Sequence, residues 1–316
     1  MKPLGSLEAD PRRREILCIG EVLWDVFPSG RFLGGAPFNV ACHLHALGRN
    51  VALASRVGND EPGREIFRDC AHRGISTDLI QTDPVLPTGL VIVTLAKAHT
   101  PHYEIVMPSA WDAIEAEPDL LTRASAAAVI VFGTLAQRDE WSRRTISALL
   151  ETKAMRVLDI NLRHPFDSRE VVEQSLRRAD LAKLNDEELE RLRNWFDLPS
   201  GDEAAAGALA QRFGCHTICV TRGQHGAALW HDGNWAEHPG YSGEIVDAVG
   251  AGDAFLAGLL TQIAGGRTGV EALRYANAVG FHVATQRGAT PHLDRQAIND
   301  LAQTLPDTSL DAVARV

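Results

Sequence analysis

Residues 247–260 read Asp247-Ala-Val-Gly250-Ala251-Gly252-Asp253-Ala-Phe-Leu-Ala-Gly258-Leu-Leu, a glycine-rich turn that runs directly into a stretch of helical period. The pattern predicts a helix that begins at these glycines and has Asp253 in its first turn. Gly250 and Gly252 let an anion approach the backbone, and the free N–H groups of a helix start supply donors and positive potential. A carboxylate beside such an anion hole can accept the proton of an attacking hydroxyl group. The alternative is an aspartate that only complements the helix dipole.

A second pair of glycines introduces another predicted helix. Gly34-Gly35-Ala-Pro-Phe-Asn39 leads into a stretch of helical period over residues 36–47. Asn39 would face the mouth of this helix, where an amide can both donate to and accept from a polyol hydroxyl group, and a ligand can approach the backbone at Gly34 and Gly35. The alternative is an ordinary turn with Asn39 in solvent. His43 and His45 would point to different faces of the helix, so no metal site is expected there.

The rest of the chain alternates short apolar segments with longer stretches of helical period. Such alternation predicts βαβ units around a mainly parallel sheet, and therefore an α/β protein built as a three-layer α/β/α sandwich. The predicted strands include residues 15–20, 128–132, 156–160 and 216–220, and the predicted helices include residues 36–47, 62–73, 138–153, 168–178 and 186–195.

One region breaks this alternation. Residues 88–96 and 101–107 are successive predicted strands with no helix between them, which indicates a hairpin outside the main sheet. Together with residues 25–33 they predict a small β lid over the carboxyl ends of the parallel strands, where open α/β sheets bind ligands. We therefore expect one domain over residues 15–305, with lid insertions at about 25–34 and 88–110. Residues 1–14 are expected to be a disordered N-terminal tail and residues 306–316 a C-terminal tail.

Polar side chains follow several predicted strands and would lie at the rim of the same crevice. Asp25 could accept hydrogen bonds from ligand hydroxyl groups, or be a turn carboxylate; Arg163 could pair with an anion, or be a surface charge. Asn185 and Glu188 share one face of a helix start, as water-linked magnesium coordination would need, but an N-cap with its capping-box partner explains them equally well. The segment 221–226 is first of all a turn between two strands.

Composition excludes several classes of protein. The chain has 316 residues, 45% of them hydrophobic, and a net charge of −10, which argues against a general nucleic-acid binder because such binding depends on basic surfaces. No apolar run is long enough to span a bilayer. The five scattered cysteines suggest neither a disulfide framework nor a zinc site and are typical of a cytoplasmic protein. A P-loop motif and a dinucleotide-binding glycine motif after a strand are both missing from the sequence.

In their order and spacing, these motifs resemble those of the PfkB, or ribokinase-like, family of carbohydrate kinases. Residues 34–39 are similar to the N-terminal signature of that family and residues 247–258 to its C-terminal signature. The likeness runs from Asp25 through residues 159–163, 183–188 and 221–223 to Asn277, and so covers nearly the whole chain. It implies the ribokinase-like fold and the transfer of a phosphoryl group from ATP to a sugar hydroxyl group.

The resemblance also implies roles for individual residues. The catalytic base would be Asp253, with an anion hole of Gly250, Ala251 and Gly252. The sugar would be bound by Asp25, Gly35 and Asn39. Gly34 and Arg163, from their own positions in the sequence, are expected at the same substrate site. The ATP site would be lined by Lys183, Asn185, Thr221, Gly223, Gly226 and Asn277. Glu188 would act on Mg²⁺ through water, and a monovalent cation such as K⁺ would be held by Asp247 and the carbonyl groups of Val249, Val283, Gln286 and Gly288.

Two positions depart from the family's pattern, both near the expected monovalent-cation site. Ala248 stands where the family usually has threonine or a similar small residue, and His292 stands where a short hydroxyl side chain is common. The expected base is unaffected by either change.

Within the family, residues 20–25 and 33–37 are most similar to bacterial fructokinases, which favours fructose as the substrate. One alternative is another ribokinase-like kinase, acting on 2-keto-3-deoxygluconate, ribose or a nucleoside. Another is a non-catalytic protein that binds a sugar or nucleotide on the same fold. Lid strands with unpaired edges could also pair between subunits and form a homodimer.

Overall fold

The computed structural model describes residues 14–28, 30–95 and 101–304. Nine strands of these ranges form one large sheet, in the order β13-β12-β11-β10-β9-β8-β1-β4-β5. The strands are β1 (Ile16–Ile19), β4 (Val51–Gly58), β5 (Ile80–Asp83), β8 (Val129–Gly133), β9 (Met155–Asp159), β10 (Leu181–Asn185), β11 (Thr217–Thr221), β12 (Ala227–His231) and β13 (Asn234–His238). All neighbours pair in parallel except β11 with β12 and β12 with β13, so the predicted mainly parallel sheet is confirmed.

Helices cover both faces of this sheet. One face packs against α1 (Ala36–Ala46), α2 (Glu61–His72), α8 (Ala251–Ala264), α9 (Gly269–Ala284) and α10 (Arg295–Gln303). The other packs against α3 (Pro118–Ala126), α4 (Glu140–Leu149), α5 (Arg169–Leu176), α6 (Asp186–Phe196) and α7 (Asp202–Phe213). Alternate residues of a strand point to opposite faces, and β1 divides accordingly: Ile16 and Cys18 belong to the first core, Leu17 and Ile19 to the second. The predicted three-layer α/β/α sandwich is therefore confirmed.

The predicted β lid is a separate sheet of four strands in the described ranges. It consists of β2 (Leu23–Phe27), β3 (Gly30–Gly34), β6 (Gly89–Leu95) and β7 (Pro101–Ile105), in the order β3-β2-β6-β7. One face packs on α2, where Trp24 Nε1 donates to the carbonyl oxygen of Pro62 at 3.0 Å. Leu23, Val91 and Val93 form a small cluster on the other face, which also carries Asp25. The lid therefore turns its Asp25 face away from α2.

The strand order reverses direction at β1, in the interior of the large sheet. From β1 the chain moves outward through β4 to β5, and later outward through β8 to β13 on the other side. Ligands bind in open α/β sheets at the carboxyl ends of the strands where the order reverses in this way. The carboxyl end of β1 leads into the lid, so the lid stands beside this reversal point.

Two further features concern the length of the helices and the ends of the chain. Within the described ranges, no helix combines the length and the apolar character needed to cross a bilayer. The tails expected at residues 1–14 and 306–316 lie outside the described residues, except for Arg14.

Candidate active site

Helix α8 begins in the glycine-rich turn, as the sequence predicts. Gly250 is its N-cap with φ 78°, a left-handed conformation that favours glycine, and Asp253 lies in the first turn. A Cβ atom on Gly250 would lie far inside contact distance of the Ala289 carbonyl oxygen. Glycine is therefore required here both by backbone conformation and by the close approach of the loop around Ala289.

The two glycine motifs meet in space. Asn39 Nδ2, in the first turn of α1, donates to Asp253 Oδ2 at 2.8 Å, although 214 residues separate the two side chains. Asn39 is only 6% exposed, so the solvated alternative for this residue is wrong. Gly35 has φ 108° and a Cβ atom on it would collide with the backbone of Glu21. Both helix starts thus point into one space beside β1.

Asp253 is electrostatically suited to exchange a proton near neutral pH. The pKa of this carboxyl group is raised to about 6, first by burial and second by the neighbouring charge of Asp159. Lys183, the hydrogen bond from Asn39 and Arg163 act in the opposite direction. A partly buried carboxyl group whose pKa is raised in this way is a candidate for general acid–base chemistry.

Lys183 lies directly behind the start of α8. Its Nζ atom is 2.9 and 3.0 Å from the two carboxylate oxygens of Asp159, the residue opposite it on β9. A Cβ atom on Gly252 would stand 3.3 Å from the same Nζ atom, which is tighter than an ordinary van der Waals contact. The pKa of Lys183 is raised by the charges of Asp159, Asp253 and Glu188 even though burial opposes this, so the ammonium group stays charged. A fixed positive charge therefore supports the candidate anion hole.

Asp25 sits on the lid side of the same space. A Cβ atom on Gly34 would collide with Asp25 Oδ2, so the first glycine of the pair leaves room for this carboxylate. Burial raises the pKa of Asp25 to about 6 despite the opposing effect of the charge of Arg163. Arg163 itself is exposed, with its Nη1 atom donating to the carbonyl oxygen of Leu162 at 3.0 Å.

Glu188 and Asn185 form the capping box that the sequence left as one alternative. Asn185 Oδ1 accepts from the backbone N–H of Glu188 at 2.7 Å, and Glu188 Oε2 accepts from that of Asn185 at 2.8 Å. Glu188 Oε1 also accepts from the backbone N–H of Leu162 at 2.7 Å. Each carboxylate oxygen keeps one lone pair for a further donor, such as a metal-bound water. The capping role is thus observed, and it leaves the water-linked role chemically open.

Three of the other nucleotide-side candidates lie farther along the sheet edge, and the fourth lies on α9. Thr221 ends β11, with its Oγ1 atom 3.4 Å from the carbonyl oxygen of Leu184, and Gly223 begins a short 3-10 helix, Gly223–His225. Gly226 has φ 77°, and a Cβ atom there would collide with the carbonyl group of His238. Asn277, on α9, is 8% exposed and donates to the carbonyl oxygen of Leu273 at 2.8 Å.

The segments that carry the expected monovalent-cation ligands lie side by side. Asp247 Oδ1 accepts from the Val249 backbone N–H and Oδ2 from that of Gly288, each at 3.0 Å. Val283 and Gln286 flank the end of α9, where the carbonyl oxygen of Val283 accepts from the Gln286 N–H at 2.9 Å. Carbonyl and carboxylate oxygens are the ligands that hard cations prefer, so this donor set fits such an ion in its chemistry.

Sequence reasoning did not assign three residues that the structure places at the site. Asp159 pairs with Lys183, and Glu21 is 3% exposed with its Oε1 atom accepting from the Ala36 N–H at 3.2 Å. Burial raises the pKa of Glu21 to about 7. His43 is 1% exposed and its Nε2 atom lies 3.0 Å from the Ala289 carbonyl oxygen. Strand-end position signals Glu21 and Asp159, whereas the contact of His43 spans 246 residues and leaves no local pattern.

A mainly parallel α/β sandwich with a lid, a partly buried carboxylate at a glycine-rich helix start and a lysine behind it defines a class of phosphoryl-transferring enzymes. The family model described as pfkB family carbohydrate kinase matches residues 8–296. The chain belongs to this family and is an ATP-dependent sugar kinase.

Individual relatives agree with this membership. A fructokinase of Klebsiella pneumoniae is 31% identical over 264 residues, which cover 79% of this chain and 84% of that protein. The crystal structure of a fructokinase from Xylella fastidiosa with bound ATP superposes with a TM-score of 0.81 at 25% identity, covering 92% of this chain and 98% of that one. A fructokinase double mutant from Vibrio cholerae O395, in a form with bound fructose, ADP and potassium ion, has a TM-score of 0.78 at 24% identity, with 92% and 98% covered.

Proposed function

We propose that this chain transfers the terminal phosphoryl group of ATP to a primary hydroxyl group of fructose, with Asp253 as the general base. The single observation that carries the proposal is the 2.8 Å hydrogen bond between Asn39 and Asp253, which joins the two glycine motifs around one partly buried carboxylate. The fructokinases among its relatives support fructose as the acceptor.

The reaction needs one proton transfer and one charge to be stabilised. Asp253 takes the proton from the sugar hydroxyl group as its oxygen attacks the terminal phosphorus atom of ATP in line with the leaving ADP. Negative charge on the transferred group is met by the backbone N–H groups of Gly250, Ala251 and Gly252. Lys183 lies behind these groups, so its charge adds to the same field. Arg163, on the rim, is placed to pair with phosphate oxygens as they arrive.

The two substrates enter from different sides. Fructose is held by the carboxylate of Asp25 and the amide of Asn39, with its ring against the backbone of Gly34 and Gly35. ATP lies along the ends of β10 and β11, against Asn185, Thr221, Gly223, Gly226 and Asn277. The lid closes over the sugar and excludes water, which protects ATP from hydrolysis.

Two metal ions accompany this proposal. Glu188, which retains acceptor capacity beyond its capping hydrogen bonds, would hold Mg²⁺ through water, and the ion would supply positive charge against the phosphate oxygens. A monovalent cation such as K⁺ would sit between Asp247 and the carbonyl groups of Val249, Val283, Gln286 and Gly288, and would add positive charge next to the anion hole. Potassium is present in the Vibrio fructokinase structure.

Replacement of the base tests the mechanism. Asp253→Asn should lower kcat by roughly 10²–10⁴-fold, because an amide cannot accept the proton. A coupled assay of ADP release measures this. Asp139→Asn is the matched control, because Asp139 caps α4 through the Trp141 N–H and asparagine caps a helix equally well. Turnover of Asp253→Asn close to that of the control would remove Asp253 from the role of base.

The same assay tests the substrate. ADP release with fructose is expected to exceed that with 2-keto-3-deoxygluconate, ribose or a nucleoside at equal concentration. A clear preference for one of these other acceptors would contradict the assignment of fructose while leaving the kinase class intact.

We further propose a homodimer through the lid, in the cytoplasm. Phe32 and Tyr103 are 55% and 52% exposed, and strand register places both on the lid face that carries Asp25. Covering such apolar side chains favours association. The buried free cysteines of the described chain suit a reducing compartment. Light scattering should give twice the mass of one chain, and Phe32→Glu should shift the mass towards the monomer.

A further inference from the structure

Arg138 is a buried cation at the root of the lid. It follows β8 and a short 3-10 helix, Leu135–Gln137, and its side chain is only 1% exposed. Its guanidinium group makes a two-point ion pair with Asp112, with Nε 2.7 Å from Oδ1 and Nη2 2.8 Å from Oδ2. The Nη2 atom also donates to the carbonyl oxygen of Val106 at 2.9 Å. Val106 is the first residue after β7, so Arg138 binds the lid at the point where its last strand leads back to the α/β sandwich.

Two aromatic rings enclose the same guanidinium group. The Arg138 Cζ atom lies 3.8 Å from the centre of the Trp111 ring and 4.6 Å from that of Phe166. Trp111 is fully buried, and its indole leaves so little room that only glycine fits at Gly89, the first residue of β6. Trp111 therefore packs against the start of β6, where the chain enters the lid hairpin, and Arg138 binds Val106, where the chain leaves it after β7.

Phe166 links this cluster to the rim of the active site. Its backbone N–H donates to the carbonyl oxygen of Arg163 at 2.7 Å, in the loop that follows β9. On the lid side, the Val106 N–H donates to the carbonyl oxygen of Leu90 on β6 at 2.9 Å. A continuous set of contacts thus runs from β6 through Val106, Arg138 and Phe166 to Arg163.

The chemistry of arginine suits this arrangement better than that of lysine. A planar guanidinium group can pair with a carboxylate at two points, donate to a carbonyl oxygen and stack between two rings at once, whereas an ammonium group is a single point charge. Asp112 is fixed as well, because its Oδ2 atom accepts from the Ser109 N–H at 2.8 Å. Each partner is therefore held in one geometry.

We propose that Arg138 is a positioning residue for phosphoryl transfer: it holds the root of the lid and the Arg163 loop at a fixed separation, so that the closed lid presents the sugar in register with Asp253. Arg138 touches neither substrate and acts through Val106 and Phe166. The proposal rests on the proposed function for its kinetic consequences, and it goes beyond that function in naming what aligns the lid.

Arg138→Lys is the central variant, because it keeps the charge and loses the planar geometry. We expect kcat/KM for fructose to fall by roughly 10–100-fold, since a displacement of about 1 Å in substrate position can cost as much as 10²-fold. The KM for ATP should change by less than about threefold, because the ATP side is anchored elsewhere. ATP hydrolysis without fructose should rise relative to sugar phosphorylation, because a misaligned lid admits water. Arg144→Lys is the matched control, an exposed arginine on α4 paired only with Glu140 in the described chain.

Amide hydrogen exchange provides a readout that needs no sugar. Exchange over residues 89–95 and 103–113 should be faster in Arg138→Lys than in the wild type, with the large sheet unchanged. If Arg138→Lys does not fold, Phe166→Leu removes one ring and keeps the ion pair, and should show the same selective loss on the fructose side.

Two results would overturn the proposal: unchanged exchange of the lid root in a folded variant, or equal losses for fructose and ATP. A wild-type protein that fails to phosphorylate fructose would instead refute the proposed substrate, and the exchange experiment would still decide the role of Arg138.

Discussion

Asp253 makes the rate of this enzyme depend on pH in a definite direction. Its pKa, raised to about 6 mainly by burial, means that the carboxylate needed as a base is lost as the pH falls through 6. An unperturbed aspartate would stay ionised two pH units lower. The residue that performs the chemistry is thus tuned by its surroundings rather than by its own type.

We expect kcat/KM for fructose to be flat above pH 7 and to fall tenfold per unit below about pH 6. A pH–rate profile in buffers of constant ionic strength checks this. A profile that stays flat to pH 5 would show that the essential group is not a carboxyl group with the raised pKa of Asp253.

Glu21 should make the protein less stable as the pH rises. A salt-bridged carboxylate, whose pKa is lowered by folding, has the opposite effect. Burial raises its pKa from 4.5 to about 7, so between these values the folded state holds a proton that the unfolded state has released. The free energy of unfolding contributed by this group therefore falls as the pH rises from 4.5 to 7, by up to roughly 3 kcal/mol.

Glu21→Gln should remove that contribution, because the amide does not titrate and can still accept from the Ala36 N–H through its oxygen. Urea denaturation at pH 5 and pH 8 should show a smaller loss of stability for this variant than for the wild type. Glu244→Gln, at an exposed position, is the control and should leave the difference unchanged. An equal pH dependence in wild type and Glu21→Gln would contradict the assignment.

The start of helix α8 depends on Gly250 for two separable reasons, its backbone conformation and the space around it. Gly250 and Gly214 both adopt left-handed backbone, with φ 78° and 74°. A Cβ atom at Gly214 would meet nothing within 4 Å, whereas one at Gly250 would strike Ala289. Alanine at Gly214 would therefore cause backbone strain alone, whereas alanine at Gly250 would cause the same strain and a steric clash.

Both glycine-to-alanine variants should lose about 1–2 kcal/mol of stability from strain, as measured by urea denaturation. Only Gly250→Ala should also lose most of its kinase activity, because the clash moves the helix start that carries the anion hole. Activity of Gly250→Ala equal to that of Gly214→Ala would mean that the helix start does not need this contact with Ala289.

Most elements were predictable from the sequence, because their signals are local. The predicted helix 186–195 is found at Asp186–Phe196, and the helix predicted over 36–47 at Ala36–Ala46. The longest predicted helix, 138–153, is shorter in the structure, Glu140–Leu149: Asp139 caps its start through the Trp141 N–H, and Leu150 is its C-cap. The meeting of Asn39 with Asp253 followed only from the family resemblance. The contacts of Arg138 with Asp112 and Val106 join segments about thirty residues apart without any repeating pattern, and no sequence signal indicates them.

The site is assembled from segments that span almost the entire described chain, from Glu21 to Ala289. A ligand that binds there binds only the folded state, and its binding energy adds to the stability of the whole domain. Substrates should therefore stabilise the protein globally rather than the lid alone.

With fructose and a non-hydrolysable ATP analogue each at about 100 times its Kd, each ligand should add about 2.7 kcal/mol to the free energy of unfolding. Calorimetry should show one transition moved to higher temperature. Asp253→Asn should keep the shift, since the base is not required for binding. A ligand-induced splitting into two transitions would show that the segments fold as separate units.

Asn39 and Asp253 lie 214 positions apart in the sequence, which also matters during biosynthesis. At roughly 5–20 residues per second, a ribosome needs on the order of 10–40 s to travel from one to the other. During that interval the nascent polypeptide already contains β1, β4 and α1, whose apolar surface awaits α8 and α9. The emerging chain must therefore be shielded from aggregation until translation is nearly finished, and truncation anywhere before α8 leaves a product without activity and with an open core.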